Sequence, residues 1–303
     1  MKHFKRIAAC IDFSDFSGMA LIQALHLAQA EQGKISAIYV AEPDEVGDFE
    51  GNQLIATDIA EENLRDNLRH FVSHYGGTPD LVECKVLIGK PSNAIARYVQ
   101  EHPTDLVVLG SRGNDSMARH TGHFATKCVR HCPVPVLLSR RQSQKRFRKI
   151  VACIDFSAAS QEVVRTAAQI AQDEDAELHV IHAATPPWLK PSHVMYTLEP
   201  IESKDFQKDY SDMLQNRLEA LVSDVMGKNQ HKFAIHILEH VSPDRAIINY
   251  LNDNQADLAV VGRLGHLKQI VSQCFIGTTA EKLIWHSPCA VLTVPCNPGN
   301  ESS

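Results

Sequence analysis

The 303 residues carry 44% hydrophobic and 22% charged side chains, the balance of a globular chain long enough for two domains. A formal charge of −6 and only 6% aromatic residues speak against nucleic acid as a partner, because phosphates want basic patches and bases want stacking platforms. No apolar run approaches the roughly eighteen residues that span a bilayer, the opening MKHFKRIAACIDFSDFS lacks the apolar stretch of a secretion signal, and eight cysteines in such a chain point to reduced thiols in a cytoplasm.

The first strand is expected at 5–11, in the run FKRIAACIDFS, and Asp12 closes it. A helix follows at 17–32, with Leu21, Ala24, Leu25 and Ala28 as its apolar stripe and Gly33 at its end. The pattern then gives a strand at 34–40, ending on Val40, a helix at 53–75, a strand at 81–88 and a helix at 92–101 behind Pro91. The next strand, 105–109, reads DLVVL and is apolar on both faces, as a parallel strand covered by helices on each side must be. A glycine-bearing loop, GSRGNDSMARHTGH at 110–123, leads to a helix at 122–131 and a last strand at 134–138.

The same series then runs again. FKRIAACIDFS at 4–14 returns as FRKIVACIDFS at 147–157, with eight of eleven positions identical. VLIGKPSNAIARYVQEHPTDLVVLG at 86–110 is echoed by LEHVSPDRAIINYLNDNQADLAVVG at 238–262, so that Pro91 matches Pro243, Tyr98 matches Tyr250 and Asp105 matches Asp257. HCPVPVLL at 131–138 is answered by HSPCAVLT at 286–293. A tandem duplication results, with a first domain over 1–141, a basic linker over 142–148, a second domain over 149–297 and a polar, disordered tail over 298–303. Alternating strands and helices with unbroken apolar strands imply an α/β fold in each half, a doubly wound parallel sheet.

Ligands of such sheets sit beyond the carboxyl ends of the strands, where strand order reverses. The most distinctive residues fall there. Asp12 and Asp155 close the first strand of each half, Gly110-x-x-Gly113 and Gly262-x-x-Gly265 close the fourth, and Gly122 or Gly277 opens the last helix. Glycines let backbone N–H groups approach an anion, and a helix N-terminus adds a favourable dipole.

Through these residues, and through the G-x-P or S-P turn after the third strand and the closing CPVPVLL, both halves resemble universal stress protein domains. The whole chain is similar to the tandem, E-like members of that family. The resemblance implies five-stranded sheets of order 3-2-1-4-5, related to adenine nucleotide α-hydrolases, and ATP with Mg²⁺ as ligand. ATP-binding members carry G-x2-G-x9-G-[ST] after the fourth strand. The first half here reads G-x2-G-x8-G-H and the second G-x2-G-x11-G-T, one residue short and two residues long. Carried over by position, nucleotide contacts fall on Asp12, Val40, Gly110, Arg112, Gly113, Gly122 and His123 in the first half. In the second they fall on Asp155, Ala183, Gly262, Arg263, Gly265, Gly277 and Thr278. Arg112 and Arg263 are expected to pair with phosphate, and the aspartates to meet Mg²⁺ or ribose hydroxyls.

Other motifs have plainer readings. HTGH at 120–123 spells the H-x-G-H box of nucleotidyltransferases, but that box belongs after the first strand and has no partner motif here, so it is read as a coincidence. Cys128 and Cys132 lie one turn apart beside His131, and packing thiols explain them better than zinc; Cys10 and Cys153 are read as core. Six basic residues among the ten of RRQSQKRFRK form a solvated linker. The stretch ATPPWLKPSHVMYTLEPIES at 184–203, with four prolines, Trp188, Met195 and Tyr196, is either a loop packed on its own domain or the cover of an apolar pocket. No nucleophile has a positioned base and no metal site closes. The expectation is a cytoplasmic stress-response regulator, not an enzyme, with at most weak ATP hydrolysis. It holds an adenine nucleotide or, alternatively, is a nucleotide-free scaffold for a partner protein or apolar ligand at 184–203. The apolar last strands, VPVLL and CAVLTV, favour an intramolecular pseudo-dimer and allow a homodimer.

Overall fold

The computed structural model describes residues 4–42, 53–111, 122–140, 146–189, 204–227, 232–263 and 276–295. In the first repeat the chain runs β1 (Arg6–Ile11), α1 (Asp15–Ala30), β2 (Lys34–Ala41), α2 (Gln53–His74), β3 (Val82–Ile88), α3 (Pro91–Glu101), β4 (Leu106–Gly110), α4 (Gly122–His131) and β5 (Val136–Ser139). The second repeats it with β6 (Lys149–Ile154), α5 (Ser160–Glu174), β7 (Glu177–Ala184), α6 (Lys204–Met226), β8 (Phe233–Glu239), α7 (Pro243–Asp253), β9 (Leu258–Gly262), α8 (Thr278–His286) and β10 (Ala290–Val294). Each strand and helix expected in the first half lies within two residues of its place.

By its internal contacts the chain forms two compact units. Unit 1 is Met1–Arg146 with Ser272–Ile276 and Cys289–Pro295; unit 2 is Phe147–Val271 with Gly277–Pro288 and Cys296–Ser303. In unit 1 the strands lie in the order β3-β2-β1-β4-β5-β10. The first five are parallel, which is the 3-2-1-4-5 arrangement expected of a doubly wound sheet. β10 adds to β5 antiparallel, with Val291 opposite Leu138 and Thr293 opposite Val136. Unit 2 repeats the order as β8-β7-β6-β9, all parallel. The fifth strand of the second repeat therefore belongs, by its contacts, to the first unit.

The reason for a parallel interior is visible in β4, where Leu106, Val107, Val108 and Leu109 are all at most 1% exposed. A strand buried on both faces needs helix cover on both, and α1 with α2 supplies one layer while α3 with α4 supplies the other. Leu21, Ala24 and Ala28 of α1 are wholly buried, as the apolar stripe required. The end of α1 differs from expectation in detail. Gln32, not Gly33, takes the left-handed conformation (φ 52°), and Asp175 does the same after α5 (φ 51°). Gly33 donates its N–H to the Ala28 carbonyl at 2.8 Å and is needed for another reason: a Cβ there would sit 2.7 Å from the Lys5 carbonyl oxygen.

Candidate functional site

Strand register gathers the expected residues at one edge of each unit. Ile11 at the end of β1 stands opposite Tyr39 of β2, and Ala9 stands opposite Val108 of β4, so Asp12, Val40 and Gly110 emerge together at the carboxyl ends of three adjacent strands. In unit 2, Ile154 stands opposite His182 and Cys153 opposite Val261, which places Asp155, Ala183 and Gly262 alike. β1 and β4, like β6 and β9, flank the point where strand order reverses.

Each aspartate is built into the turn that follows it. Asp12 Oδ1 accepts from the Ser14 N–H at 3.1 Å and the Ser14 hydroxyl at 2.5 Å. Ser14 Oγ in turn accepts from the Ser17 N–H at 3.2 Å and so caps α1. Asp155 Oδ1 accepts from the Ser157 N–H at 3.0 Å and the Ser160 hydroxyl at 3.3 Å. Between aspartate and serine the chain turns through a left-handed phenylalanine in both repeats, Phe13 at φ 60° and Phe156 at φ 58°. A bulky residue held there costs on the order of 1–3 kcal/mol and persists only where its surroundings demand it. Phe13 is held by Tyr39 and Phe71, with ring centroids at 4.7 and 5.5 Å. Phe156 lies 4.4 Å from the His182 ring and 4.3 Å under the Arg217 guanidinium. Neither phenylalanine stood out as a site residue in the sequence, although the identical CIDFS in both repeats was the available signal.

The glycines divide by role. A Cβ on Gly110 would lie 2.8 Å from the carbonyl carbon and oxygen of Phe16, so close approach of α1 to β4 already requires this glycine. Gly122 is the first residue of α4 and His123 the second. Gly277 is the N-cap of α8 (φ −63°, ψ 144°), with no side chain capping that helix among the described residues, and Thr278 is its exposed first residue. The Gly277 N–H donates to the Arg263 carbonyl at 2.9 Å, which ties the start of α8 to the end of β9. Arg263 itself is only 8% exposed. Arg112, Gly113 and Gly265 lie outside the described residues.

The universal stress protein profile matches residues 3–140 and again 146–295. The chain belongs to the universal stress protein family. It is 22% identical to the universal stress protein Slr1230 of Synechocystis, over 95% of this chain and 99% of that protein. It is 23% identical to a universal stress protein E homolog of Haemophilus influenzae, over 96% and 97% respectively. A universal stress protein from Archaeoglobus fulgidus shares its fold at 17% identity with a TM-score of 0.67, over 98% of this chain and all of that one.

Several side motifs of this tandem universal stress protein resolve in the structure. Cys128 and Cys132 are 0% exposed, and Cys10 from β1 is buried with them. Burial pushes the Cys10 and Cys128 thiols up, and the neighbouring thiols add to this, so the reactive thiolate is suppressed. Among the described residues no three His, Cys, Asp or Glu gather as a metal site, and no helix is long and apolar enough to cross a membrane. His120 and Thr121 of the HTGH run lie outside the described residues, as do 190–203 of the proline-rich stretch with Met195 and Tyr196. The described start of that stretch forms a 3-10 turn at Pro187–Leu189, where Trp188 packs edge-on against Tyr210 at 5.3 Å and Phe206 at 6.3 Å.

Proposed function

We propose that this tandem universal stress protein is a cytoplasmic regulator that binds an adenine nucleotide at its switch-point crevices, the second repeat more tightly than the first. The observation that carries the reading is the start of α8. A helix N-terminus without a side-chain cap among the described residues, opened by Gly277 and tied to the end of β9, presents its first N–H groups and the exposed Thr278 hydroxyl beside the carboxyl end of β9. That donor set suits phosphate. Thr278 and the first turn of α8 would hold the phosphates, with Gly262 and Gly265 giving backbone access and Ala183 bordering the base. Asp155 would face ribose hydroxyls or Mg²⁺. Arg263 enters through its carbonyl, which positions Gly277. In the first repeat Asp12, Val40, Gly110, Arg112, Gly113 and Gly122 form the corresponding set, but His123 takes the place of the hydroxyl. The nucleotide acts as a regulatory ligand, and no catalytic step is proposed.

Calorimetric titration with ATP tests this on wild type, Gly277→Val and Gly122→Val. Gly277→Val should lose about tenfold or more in affinity, on the order of 1.4 kcal/mol, while Gly122→Val changes little. Loss confined to Gly122→Val would reverse the choice of repeat. A wild type that binds no ATP favours the scaffold reading, in which 184–203 engages a partner protein or an apolar ligand. That second reading draws on Asp12 and Gly110, which already serve the packing and capping of α1. Mass spectrometry of freshly purified, denatured protein separates the two by showing ATP, a lipid-like molecule or neither.

A further inference from the structure

The two repeats treat one position of the third helix differently. In unit 2, α7 begins Pro243-Asp244, and the Asp244 carboxylate lies at the helix N-terminus. Its Oδ1 accepts from the Ser242 hydroxyl at 2.9 Å and pairs with Lys282 Nζ of α8 at 3.0 Å. Helix dipole, hydroxyl and ammonium thus share one anion supplied by the chain itself.

In unit 1 the lysine is kept and the anion is missing. Lys127 of α4 matches Lys282, but Ser92 stands where Asp244 stands and Lys90 where Ser242 stands. α3 begins Pro91-Ser92 with no side-chain cap. The Lys90 carbonyl takes the N–H groups of Asn93 and Ala94, both at 3.0 Å. Neither the N–H nor the hydroxyl of Ser92 has a hydrogen-bond partner among the described residues, although Ser92 is only 9% exposed. Neither Lys90 nor Lys127 has an ion-pair partner there either. These groups line a cleft of about 500 Å³, together with Glu42, Phe124 and His131. His131 Nδ1 lies 2.8 Å from the Lys127 carbonyl and donates to it.

We propose that this cleft binds the phosphate group of a small phosphorylated molecule, the phosphate occupying the place that the Asp244 carboxylate fills in the second repeat. Two ammonium groups outweigh the one carboxylate, and the open Ser92 N–H and hydroxyl point the same anion toward the N-terminus of α3. The volume, in the range of roughly 300–1,000 Å³ common to small-molecule sites, exceeds what a lone phosphate fills, and Phe124 offers an apolar wall for an organic remainder. None of these residues belongs to the switch-point set.

Amide-resolved NMR of the full chain at constant ionic strength tests it, with inorganic phosphate and glycerol 3-phosphate as separate probes. The expected result is a saturable shift of the Ser92 and Asn93 amides, tighter for the ester, while the Thr278 amide reports any binding at the other site. Ser92→Asp copies the second repeat, should fold normally and should weaken both probes at least tenfold; Lys127→Ala should do likewise. Asp244→Ser should create a new phosphate response beside Lys282. Equal affinity for the two probes would overturn the assignment to a phosphorylated molecule in favour of free phosphate. No saturable shift at Ser92 in wild type, or an unchanged one in both Ser92→Asp and Lys127→Ala, would overturn the site altogether.

Discussion

Gly110 lies where a ligand would want a glycine, yet its nearest claimant is a neighbour within the fold. Because a Cβ would meet the Phe16 backbone at 2.8 Å, Gly110→Ala should force α1 off β4. Overpacking of this kind costs about 1–3 kcal/mol, which urea unfolding without nucleotide will read. An unchanged midpoint would free Gly110 for a purely ligand-directed role. Ser14 is the other residue whose work is local, since it links the Asp12 carboxylate to the first turn of α1. Ser14→Ala should lose about 1 kcal/mol, the usual worth of an N-cap, in the same experiment. Phe13 and Phe156 show why such residues escape a reading by pattern: their left-handed backbone is held by side chains from distant elements, the Phe71 ring in one repeat and the Arg217 guanidinium in the other.

Between elements, the repeated Tyr98 and Tyr250 anchor the third helix of each half to its second strand, with different partners. Tyr98 donates its hydroxyl to Ser36 Oγ at 2.9 Å, whereas the Tyr250 hydroxyl lies 2.7 Å from His179 Nδ1. Burial lowers the His179 pKa, Lys149 and His236 lower it further, and Glu177 opposes them. A histidine lowered on folding binds fewer protons folded than unfolded, so stability falls as pH drops below the unfolded value of about 6.5. The loss is complete once pH passes below the folded value. The urea midpoint should therefore decline between neutral and mildly acid pH, and His179→Ser, which copies Ser36, should flatten the slope. An identical slope in that variant would assign the decline to other groups. Asp105 and Asp257, matched in the sequence, also work between elements. Asp105 accepts from the Arg6 N–H at 3.0 Å, and Asp257 from those of Arg148 and Lys149 at 2.8 and 3.0 Å, pinning the starts of adjacent central strands.

Across the whole molecule the decisive feature is that β10 is paired with β5. Leu137 and Leu138 of β5 are at most 1% exposed, and Leu292 stands opposite Leu137. A fragment ending at residue 141 would uncover that apolar edge, and uncovered edges pair with whatever is available. Light scattering on the 1–141 fragment should show self-association, whereas a stable monomer would contradict the structural role assigned to β10. The sequence alone was enough for the duplication, the strand and helix order and the family, because apolar periodicity and repeated turns are local signals that survive without contacts. It also placed Asp12, Asp155, Gly110 and Gly262 at the carboxyl ends of their strands, since strand ends are marked by where the apolar run stops. What it left undecided depends on neighbours far away in the chain. That Gly110 packs against the Phe16 backbone, that Arg263 is buried, and that β10 pairs with β5 are settled by packing across long separations. The contrast between Ser92 and Asp244 was written in the repeat all along. Only the pairing of Asp244 with Lys282, absent at Ser92 and Lys127, gave that substitution a meaning.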